Sequence, residues 1–290
     1  MLRFTAAGAV QAPTTLQVRL TRPFDGRIRA GAPEPSGAMS AAALRDNLQW
    51  FASGRGPRER ACTSLVVSGA ALADDVIDAI GEAPALGYTA ITRHIESAGA
   101  SDFLNSDLRD VATAVAIAVD GVRGLESLAL MSEWSGHVTA ALLLRQATLD
   151  AMDSVLEPII AARPDRVVLT WPLTGQPPPH AEVAARGVDR ALERLDAAGI
   201  ASGVKGLPAC RLTRPDRLWR SANRLYVDVD HQRDDALLFF PDVVRFTKSD
   251  RCRFCSADAR CDGAPEAWVA AGLAGPFTPL EPGAGPGAQG

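Results

Sequence analysis

Short apolar runs alternate with amphipathic stretches over the first 205 residues of this 290-residue chain, and this rhythm constrains the fold more than any other feature. Each apolar run is long enough for one buried strand, and the amphipathic stretches have the spacing of helices with one buried face. Strands that alternate with helices pair in parallel through right-handed crossovers. The sequence therefore predicts an α/β fold, a partial (β/α)6 TIM-like barrel.

Local patterns predict the individual elements. The predicted strands are 16–21, 64–69, 88–95, 127–132, 138–145, 166–171 and 200–207. The predicted helices are 40–52, 74–86, 102–118, 149–162 and 181–198. Ser40 is expected to cap the first helix, and Gly199 is expected to end the last one. The run 111–119 fits a helix or a strand, and the pattern leaves both alternatives open.

The charge balance argues against nucleic acid as a partner. Thirty Lys and Arg residues oppose thirty-four Asp and Glu residues, which gives a formal net charge of −4 and no basic field for a phosphate backbone. No apolar run reaches the roughly 18 residues that cross a bilayer. The first residues also lack the basic cluster and apolar core of an export signal. We expect a cytoplasmic protein with neither a membrane nor a nucleic acid as partner.

The cysteines are the strongest chemical signal, because four of the five lie after residue 205. Cys252, Cys255 and Cys261 form a C-x2-C-x5-C run, whose tight turn lets thiolates converge on one metal or cluster. Cys210, which follows the last predicted strand, is the candidate fourth ligand. Four thiolates suit one [4Fe–4S] cluster or a structural zinc, and a third alternative is that the cysteines bind no metal. Cys62 stands apart and is expected to be a buried apolar side chain.

This rhythm, followed by the cysteine run, resembles the radical S-adenosylmethionine (radical SAM) proteins that carry a shortened C-terminal auxiliary-cluster domain of the twitch or SPASM type. The matching segments are KGLPAC and KSDRCRFCSADARCDG. The resemblance implies a radical-SAM-like partial barrel over 1–205, an auxiliary iron–sulfur extension over 206–280 and a disordered tail over 281–290. After Cys261 the chain reads DGAP, without the further cysteine of the full SPASM pattern, so at most one auxiliary cluster is expected.

The first motif of that family is degenerate in this chain. In the family, a C-x3-C-x2-C motif after the first strand holds the cluster that reduces S-adenosylmethionine (SAM). The matching positions here are Phe24, Ile28 and Gly31. None of these side chains can bind iron. The resemblance therefore implies that the chain does not hold the SAM-cleaving cluster.

The second family motif is degenerate as well. In the family, a Gly-Gly-Glu-Pro segment at the end of the second strand contacts the amino end of SAM. The corresponding residues here are Ser68, Gly69, Ala70 and Ala71. They keep one glycine and lack the carboxylate that would hold the amine. Two losses at the same edge of the barrel imply that SAM is not a cofactor of this protein.

Three other polar side chains are candidate catalytic residues. His94, Glu133 and His137 follow or end predicted strands, and active sites of α/β folds lie at the carboxyl ends of strands. Asp228 and Asp230 alternate with Val227 and Val229 on a probable strand that precedes His231. The aspartates could orient this histidine for proton transfer or hold a metal, but a solvated strand face is the favoured interpretation. The sequence lacks the G-x-S-x-G, P-loop and Rossmann glycine motifs, which disfavours serine hydrolases, NTPases and nucleotide oxidoreductases.

The sequence as a whole predicts a radical-SAM-like iron–sulfur protein that lacks the SAM-cleaving cluster. Its expected role is that of a non-catalytic subunit that presents substrate or relays electrons to a biosynthetic or peptide-modifying enzyme. Its expected partner is an intact radical SAM homologue or a peptide substrate. The alternative is an active enzyme with SAM-independent chemistry at the barrel mouth, whose cysteines hold a structural zinc or a redox cluster.

Overall fold

The computed structural model describes residues 11–21, 37–55, 61–69, 72–95, 98–170, 179–219, 223–238 and 246–281. The chain divides into two units, each with its own internal contacts. The first unit comprises Leu2–Thr139 and Ser221–Val243, and the second comprises Ala140–Arg220 and Val244–Gly290. The domain boundary that the sequence places after residue 205 stays a prediction.

Eight parallel strands belong to one sheet. They are β1 (Thr15–Arg19), β2 (Ser64–Ser68), β3 (Ala90–Ile95), β4 (Ala114–Val119), β5 (His137–Leu143), β6 (Arg166–Thr170), β7 (Ala201–Lys205) and β8 (Arg224–Val227). The strand order is β7-β6-β5-β4-β3-β2-β1-β8. A closed eight-stranded barrel has this order with β7 and β8 also paired, so the sheet corresponds to a barrel that is open between them. The predicted α/β fold with a partial TIM-like barrel is confirmed.

The first unit carries two distinct sheet faces. The parallel register of β1 and β2 aligns Leu16 with Leu65, and both side chains are completely buried. On the opposite face, the register of β1 and β8 aligns Gln17 with Tyr226. There the Arg224 guanidinium donates a hydrogen bond to the Gln17 side-chain oxygen at 2.7 Å. The helices pack against the face that carries Leu16 and Leu65, because a buried apolar face needs a covering layer.

Helices cover this sheet in the first unit. They are α1 (Ala41–Ala52), α2 (Asp74–Gly81), α3 (Ala100–Leu104), α4 (Leu108–Val111) and α5 (Val122–Leu130). The predicted cap of α1 is confirmed, because the Ser40 side chain accepts a hydrogen bond from the Ala43 N–H at 3.2 Å. None of the helices in the described ranges has the length and apolar character that crossing a bilayer requires.

Two element predictions in the first unit are wrong. The segment 102–118, predicted as one helix, forms two short helices followed by β4. In β4 the buried Val115 and Ile117 alternate with smaller residues that are only half-buried. The predicted strand 127–132 lies in α5 and the 3-10 turn that follows it. The buried positions there are Gly124, Ser127, Leu128 and Met131, and their spacing of three and four residues is that of a helix.

The second unit continues the alternation of strands and helices. Its helices are α6 (Gln146–Asp150), α7 (Met152–Ala162), α8 (Ala181–Ala197) and α9 (Glu266–Ala270). The chain leaves α8 through Gly199, whose φ of +71° is easy for glycine. β6 and β7 pair in parallel, and two short strands, β9 (Phe246–Thr247) and β10 (Ala264–Pro265), form an antiparallel pair.

Candidate metal centre

Three of the four predicted ligands lie in one loop of the second unit. The β9–β10 pair aligns Thr247 with Ala264 and so closes the loop that carries Cys252, Cys255 and Cys261. Gly263 enters β10 with a φ of +90°, and a Cβ there would lie 2.2 Å from the Thr247 carbonyl oxygen. Only glycine fits at that point, so the closure of the loop depends on it.

Internal hydrogen bonds hold this loop in shape. The Cys252 N–H donates to the Ser249 carbonyl at 2.9 Å, and the Cys255 N–H donates to the Cys252 carbonyl at 3.0 Å. The Lys248 ammonium donates to the carbonyl oxygen and to a carboxylate oxygen of Asp258, each at 2.7 Å. The positions of the thiols are therefore set by backbone geometry and by one ion pair inside the loop.

The fourth predicted ligand approaches from the chain that follows β7. A 3-10 turn, Ala209–Arg211, carries Cys210. The Ala209 N–H donates to the sulfur of Cys261 at 3.3 Å. Ala209 and Ala257 are each 1% exposed, and both pack against Cys261. These contacts bring the segment that carries Cys210 against the loop that carries the other three thiols.

A third segment, near residues 278–280, covers the thiols and was not anticipated from the sequence. The Leu280 N–H donates to the sulfur of Cys255 at 3.3 Å, and the Thr278 N–H forms a hydrogen bond with the Cys210 thiol. The Ser256 N–H returns a hydrogen bond to the Leu280 carbonyl at 2.9 Å. The donors are main-chain groups, so no side-chain pattern could have identified them.

The electrostatics of the site link three of the thiols. Burial raises the pKa of Cys210, the Thr278 N–H and the Arg211 charge oppose that rise, and charge repulsion from Cys261 and Cys252 adds to it. Burial also raises the pKa of Cys261, against the lowering by the N–H groups of Ala209 and Gly263. Such repulsion requires that the sulfurs lie near one another. Because a thiol must lose its proton to bind a metal, metal binding by these cysteines would release protons.

The donor set suits a cofactor that several thiolates share. Four backbone N–H groups point at three of the four sulfurs, and N–H donors to sulfur are one of the features that tune iron–sulfur clusters. All four cysteines are among the described residues, and the structure does not bring three or more His, Cys, Asp or Glu side chains of the described ranges into an arrangement that could hold a metal ion. Cys210, Cys252, Cys255 and Cys261 therefore stay predicted ligands.

The carboxyl edge of the first unit holds one of the two degenerate motifs in part. Ser68 ends β2 and Gly69 follows it. Arg93 of β3 reaches across and donates to the carbonyls of Val67 at 3.3 Å and Gly69 at 2.7 Å. A guanidinium therefore lies at the end of β2. The other positions of the two motifs, Phe24, Ile28, Gly31, Ala70 and Ala71, lie outside the described residues.

The three candidate catalytic residues lie at opposite edges of the sheet. His94 is near the carboxyl end of β3 and is 9% exposed. Glu133 lies in the 3-10 turn that precedes β5, and His137 is the first residue of β5. The expected place of Glu133 and His137 at the carboxyl edge is wrong, because the run before them is a helix instead of a strand. Glu133 lines an open cavity of about 630 Å³ together with Trp134 and Arg109.

Two other predictions concern single residues. Cys62 is 1% exposed, and burial raises its pKa to about 12, so it is the inert buried side chain that was expected. Asp228 accepts hydrogen bonds from the N–H groups of Asp230 and His231, and its carboxylate lies 2.9 Å from the His231 ring nitrogen. The Asp228 carboxylate therefore stabilises the turn that follows β8.

Comparisons with solved structures identify the fold. Streptococcus suis SuiB bound to S-adenosylmethionine superposes with a TM-score of 0.58 and 11% identity, over 90% of this chain and 75% of SuiB. The protein anSMEcpe with bound AdoMet gives a TM-score of 0.55 and 10% identity, over 93% of this chain and 89% of that one. Its complex with AdoMet and the Cp18Cys peptide gives 0.54 and 9%.

No protein-family model matches the sequence, and no curated protein matches it. The two structural neighbours, SuiB and anSMEcpe, are each seen with S-adenosylmethionine (AdoMet) bound. Because identity is about one residue in ten, the likeness concerns the course of the backbone. The chain shares the fold of these two proteins.

Proposed function

We propose that this protein is a radical-SAM-like iron–sulfur protein that binds one [4Fe–4S] cluster and does not cleave SAM. It acts as a non-catalytic subunit that relays electrons or presents substrate to a biosynthetic or peptide-modifying enzyme. The observation that carries the proposal is the convergence of three chain segments on the thiols. The segment of Cys210, the hairpin loop of Cys252, Cys255 and Cys261, and the segment of Leu280 meet through N–H contacts to sulfur.

The four cysteines would hold the cluster, which supplies one-electron redox chemistry when it is bound. Cys261 is buried beside Ala209 and Ala257, which excludes water from one side of the site. Cys252 and Cys255 are half-exposed, which leaves another side open to a partner. Burial on one side and access on the other suit electron transfer better than they suit a purely structural ion.

The end of β2 supports the absence of SAM chemistry. The resemblance implies that the SAM amino group would lie there, and the Arg93 guanidinium already donates to the Gly69 carbonyl. The loss of iron ligands at Phe24, Ile28 and Gly31 supports the same proposal.

The alternative function, an enzyme with SAM-independent chemistry at the barrel mouth, has less support. Of its three candidate residues, only His94 lies near the carboxyl edge of the sheet. Glu133 and His137 lie at the amino edge, whereas the active sites of α/β barrels are at the carboxyl ends of the strands.

Anaerobic purification followed by metal analysis tests the proposal. We expect about four irons and four sulfides per chain, a brown colour, and an EPR signal after reduction with dithionite. Zinc in place of iron would assign the cysteines a structural role, and a protein without either metal after anaerobic reconstitution would overturn the proposal.

The second half of the proposal concerns SAM. We expect calorimetry to detect no SAM binding, and we expect no 5′-deoxyadenosine after incubation with SAM and dithionite. SAM cleavage by the reconstituted protein would contradict the proposed non-catalytic role. The assay must use protein that has been loaded with iron and sulfide, because protein without its cluster would also fail to cleave SAM.

A further inference from the structure

The open cavity beside Glu133 lies at the amino edge of the sheet in the first unit. One wall comes from the end of α3 and from α4, and the other comes from the end of α5 and the turn before β5. Its volume is about 630 Å³, and small-molecule sites have volumes of about 300 to 1,000 Å³. The cavity is therefore large enough for a ligand, and it lies away from the carboxyl edge of the sheet.

The Trp134 indole forms the best-fixed part of the cavity wall. Its ring N–H donates to the Arg109 carbonyl at 3.3 Å, and its ring packs edge-to-face on the Phe103 ring with the centres 5.2 Å apart. A Cβ at Gly136 would lie 2.2 Å from the outer edge of the indole, so the ring rests on the backbone there. Three contacts hold a large aromatic surface in place before any ligand arrives, which lowers the entropic cost of binding.

Apolar side chains continue the wall around Trp134. Leu104 and Ala112 line the cavity, and Leu130 lines it while 53% exposed. The exposed part of Leu130 is not used in packing the fold. Apolar surface inside a concave site favours a ligand that has an apolar part to bury.

The charges of the lining leave one carboxylate without a partner. Arg109 donates from Nε to Asp110 at 3.3 Å and from a terminal nitrogen to the Leu104 carbonyl at 3.2 Å. The third charged side chain of the lining, Glu133, is exposed and makes no hydrogen bond or ion pair with any described residue. One positive and two negative side chains thus give the lining a net charge of −1.

The lining also has more open acceptors than open donors. Besides Trp134 and Arg109, the Asn105 amide nitrogen donates within the protein, to the Ser101 hydroxyl at 3.4 Å. The Glu133 carboxylate keeps both oxygens for a ligand, and the face of an indole attracts cations. A ligand that complements this lining therefore carries N–H donors and a positive charge.

We infer that the cavity binds an organic cation, an ammonium or guanidinium group on an apolar stem. The cationic head pairs with Glu133 beside the Trp134 ring, and the stem contacts Leu104 and Leu130. Free amines and the side chains of lysine and arginine in a peptide share this chemistry. The inference goes beyond the proposed function and does not depend on a cluster.

Calorimetry with two cations and their neutral counterparts tests the inference. The cations are agmatine, a free guanidinium, and the peptide acetyl-Leu-Arg-Leu-amide. The counterparts are N-carbamoylputrescine and the same peptide with citrulline, in which a neutral urea replaces the guanidinium. We expect a cation to bind about fivefold more tightly than its counterpart at low salt, because the counterpart forms neither the ion pair nor the cation–π contact. Tighter binding of agmatine would assign the site to a free amine, and tighter binding of the peptide would assign it to a polypeptide side chain.

Three variants locate the binding. Glu133→Gln removes the charge and keeps the size, so it should weaken the Kd of the cation about fivefold and leave that of the counterpart unchanged. Gly136→Ala displaces the indole without changing any charge, and it should weaken both Kd values. Glu126→Gln is the matched control, because Glu126 is an exposed residue of α5 outside the lining. It should change Kd less than about twofold, since solvent screens a distant surface charge. Thermal unfolding verifies that each variant is folded.

The contrary outcomes are distinct from those of the proposed function. Equal Kd values for a cation and its counterpart would overturn the charge assignment. Binding that neither Glu133→Gln nor Gly136→Ala weakens lies elsewhere, and absence of binding at about 10 mM probe leaves no site of useful affinity; either result overturns the inference. An iron-free protein that binds the cation as expected contradicts the proposed function alone, and an iron-replete protein that does not bind it contradicts this inference alone.

Discussion

The amide N–H of Ala209 points at the sulfur of Cys261 at a distance of 3.3 Å. The two residues are 52 positions apart in sequence, so this contact joins the chain after β7 to the hairpin loop. The same sulfur accepts the Gly263 N–H at 3.3 Å. Such donors stabilise negative charge on sulfur, and a reduced cluster carries more negative charge than an oxidised one.

Ala209→Pro should make the proposed cluster harder to reduce without removing it. Proline lacks the N–H, and it fits the first position of the 3-10 turn because Pro208 before it is extended, at φ −61° and ψ 139°. We expect the reduction potential to fall by about 40 mV, the one-electron equivalent of a hydrogen bond of about 1 kcal/mol. An EPR-monitored redox titration measures the shift.

Ala209→Gly is the control, because it removes the side chain and keeps the N–H. Iron content should equal that of the unmodified protein in both variants. An equal potential in the Pro and Gly variants would mean that this N–H has no influence on the cluster.

Cys210→Ala and Cys62→Ala should differ sharply in iron content. Cys210 is a proposed ligand that lies beside Cys261 and Cys252, whereas Cys62 is buried in the other unit. We expect Cys210→Ala to lose most of its iron on gel filtration, and Cys62→Ala to keep all of it. Iron and sulfide assays measure the difference. Full iron retention in Cys210→Ala would remove that residue from the ligand set.

Gly263→Ala should destabilise the second unit by about 2 to 4 kcal/mol, the combined effect of a positive φ and a steric clash. A Cβ there would lie 2.2 Å from the Thr247 carbonyl oxygen, so β9 and β10 must separate and the cysteine loop opens. Iron loading should fall with the free energy of unfolding. Thermal unfolding and metal analysis of the purified variant measure both quantities.

Gly272→Ala is the matched control for this substitution. Gly272 also has a positive φ, of +69°, but no atom lies within 4 Å of the added Cβ. We expect a loss of about 1 kcal/mol from backbone strain alone and unchanged iron loading. Equal losses of stability in the two variants would show that the structure accommodates the added Cβ beside Thr247 without any loss of stability beyond the backbone strain.

The alternation of strands and helices was predicted from the sequence better than the position of the candidate catalytic residues. Strand runs such as 64–69 and 166–171 were recognised because buried parallel strands are nearly continuous apolar runs. The run 127–132 was misread because six residues do not distinguish a strand from the end of a helix. That error also misplaced Glu133 and His137, since both positions depended on a strand ending before them.

The candidate metal centre was predictable only in its side chains. Spacing singled out Cys252, Cys255 and Cys261 as candidate ligands, because a C-x2-C turn can bring two sulfurs to one metal, and metal binding by them stays a prediction. The covering segment at Thr278 and Leu280 contributes main-chain donors, which leave no trace in composition or periodicity. The same holds for Arg93, whose role at the end of β2 follows from the register of neighbouring strands.

Alkaline pH should destabilise the protein through Cys62. Burial raises the pKa of this thiol from 9.0 to about 12, because the folded state resists the charged form, and burial also raises the pKa of the neighbouring Tyr88. The contribution of the neutral Cys62 thiol to the free energy of unfolding is complete below pH 9 and is lost as pH rises toward 12. Within that window, Cys62 should lower the free energy of unfolding by about 1.4 kcal/mol per pH unit.

Cys62→Ala isolates this contribution. The variant should be less stable at pH 7 by about 1 kcal/mol, from the lost packing of one sulfur, and its free energy of unfolding should fall less steeply above pH 9. Urea unfolding of metal-free, reduced protein at pH 7.5, 9.5 and 10.5 measures both slopes. Parallel curves for the two proteins would show that the Cys62 thiol ionises as readily in the folded state as in the unfolded one, contrary to its burial beneath the first unit's helices.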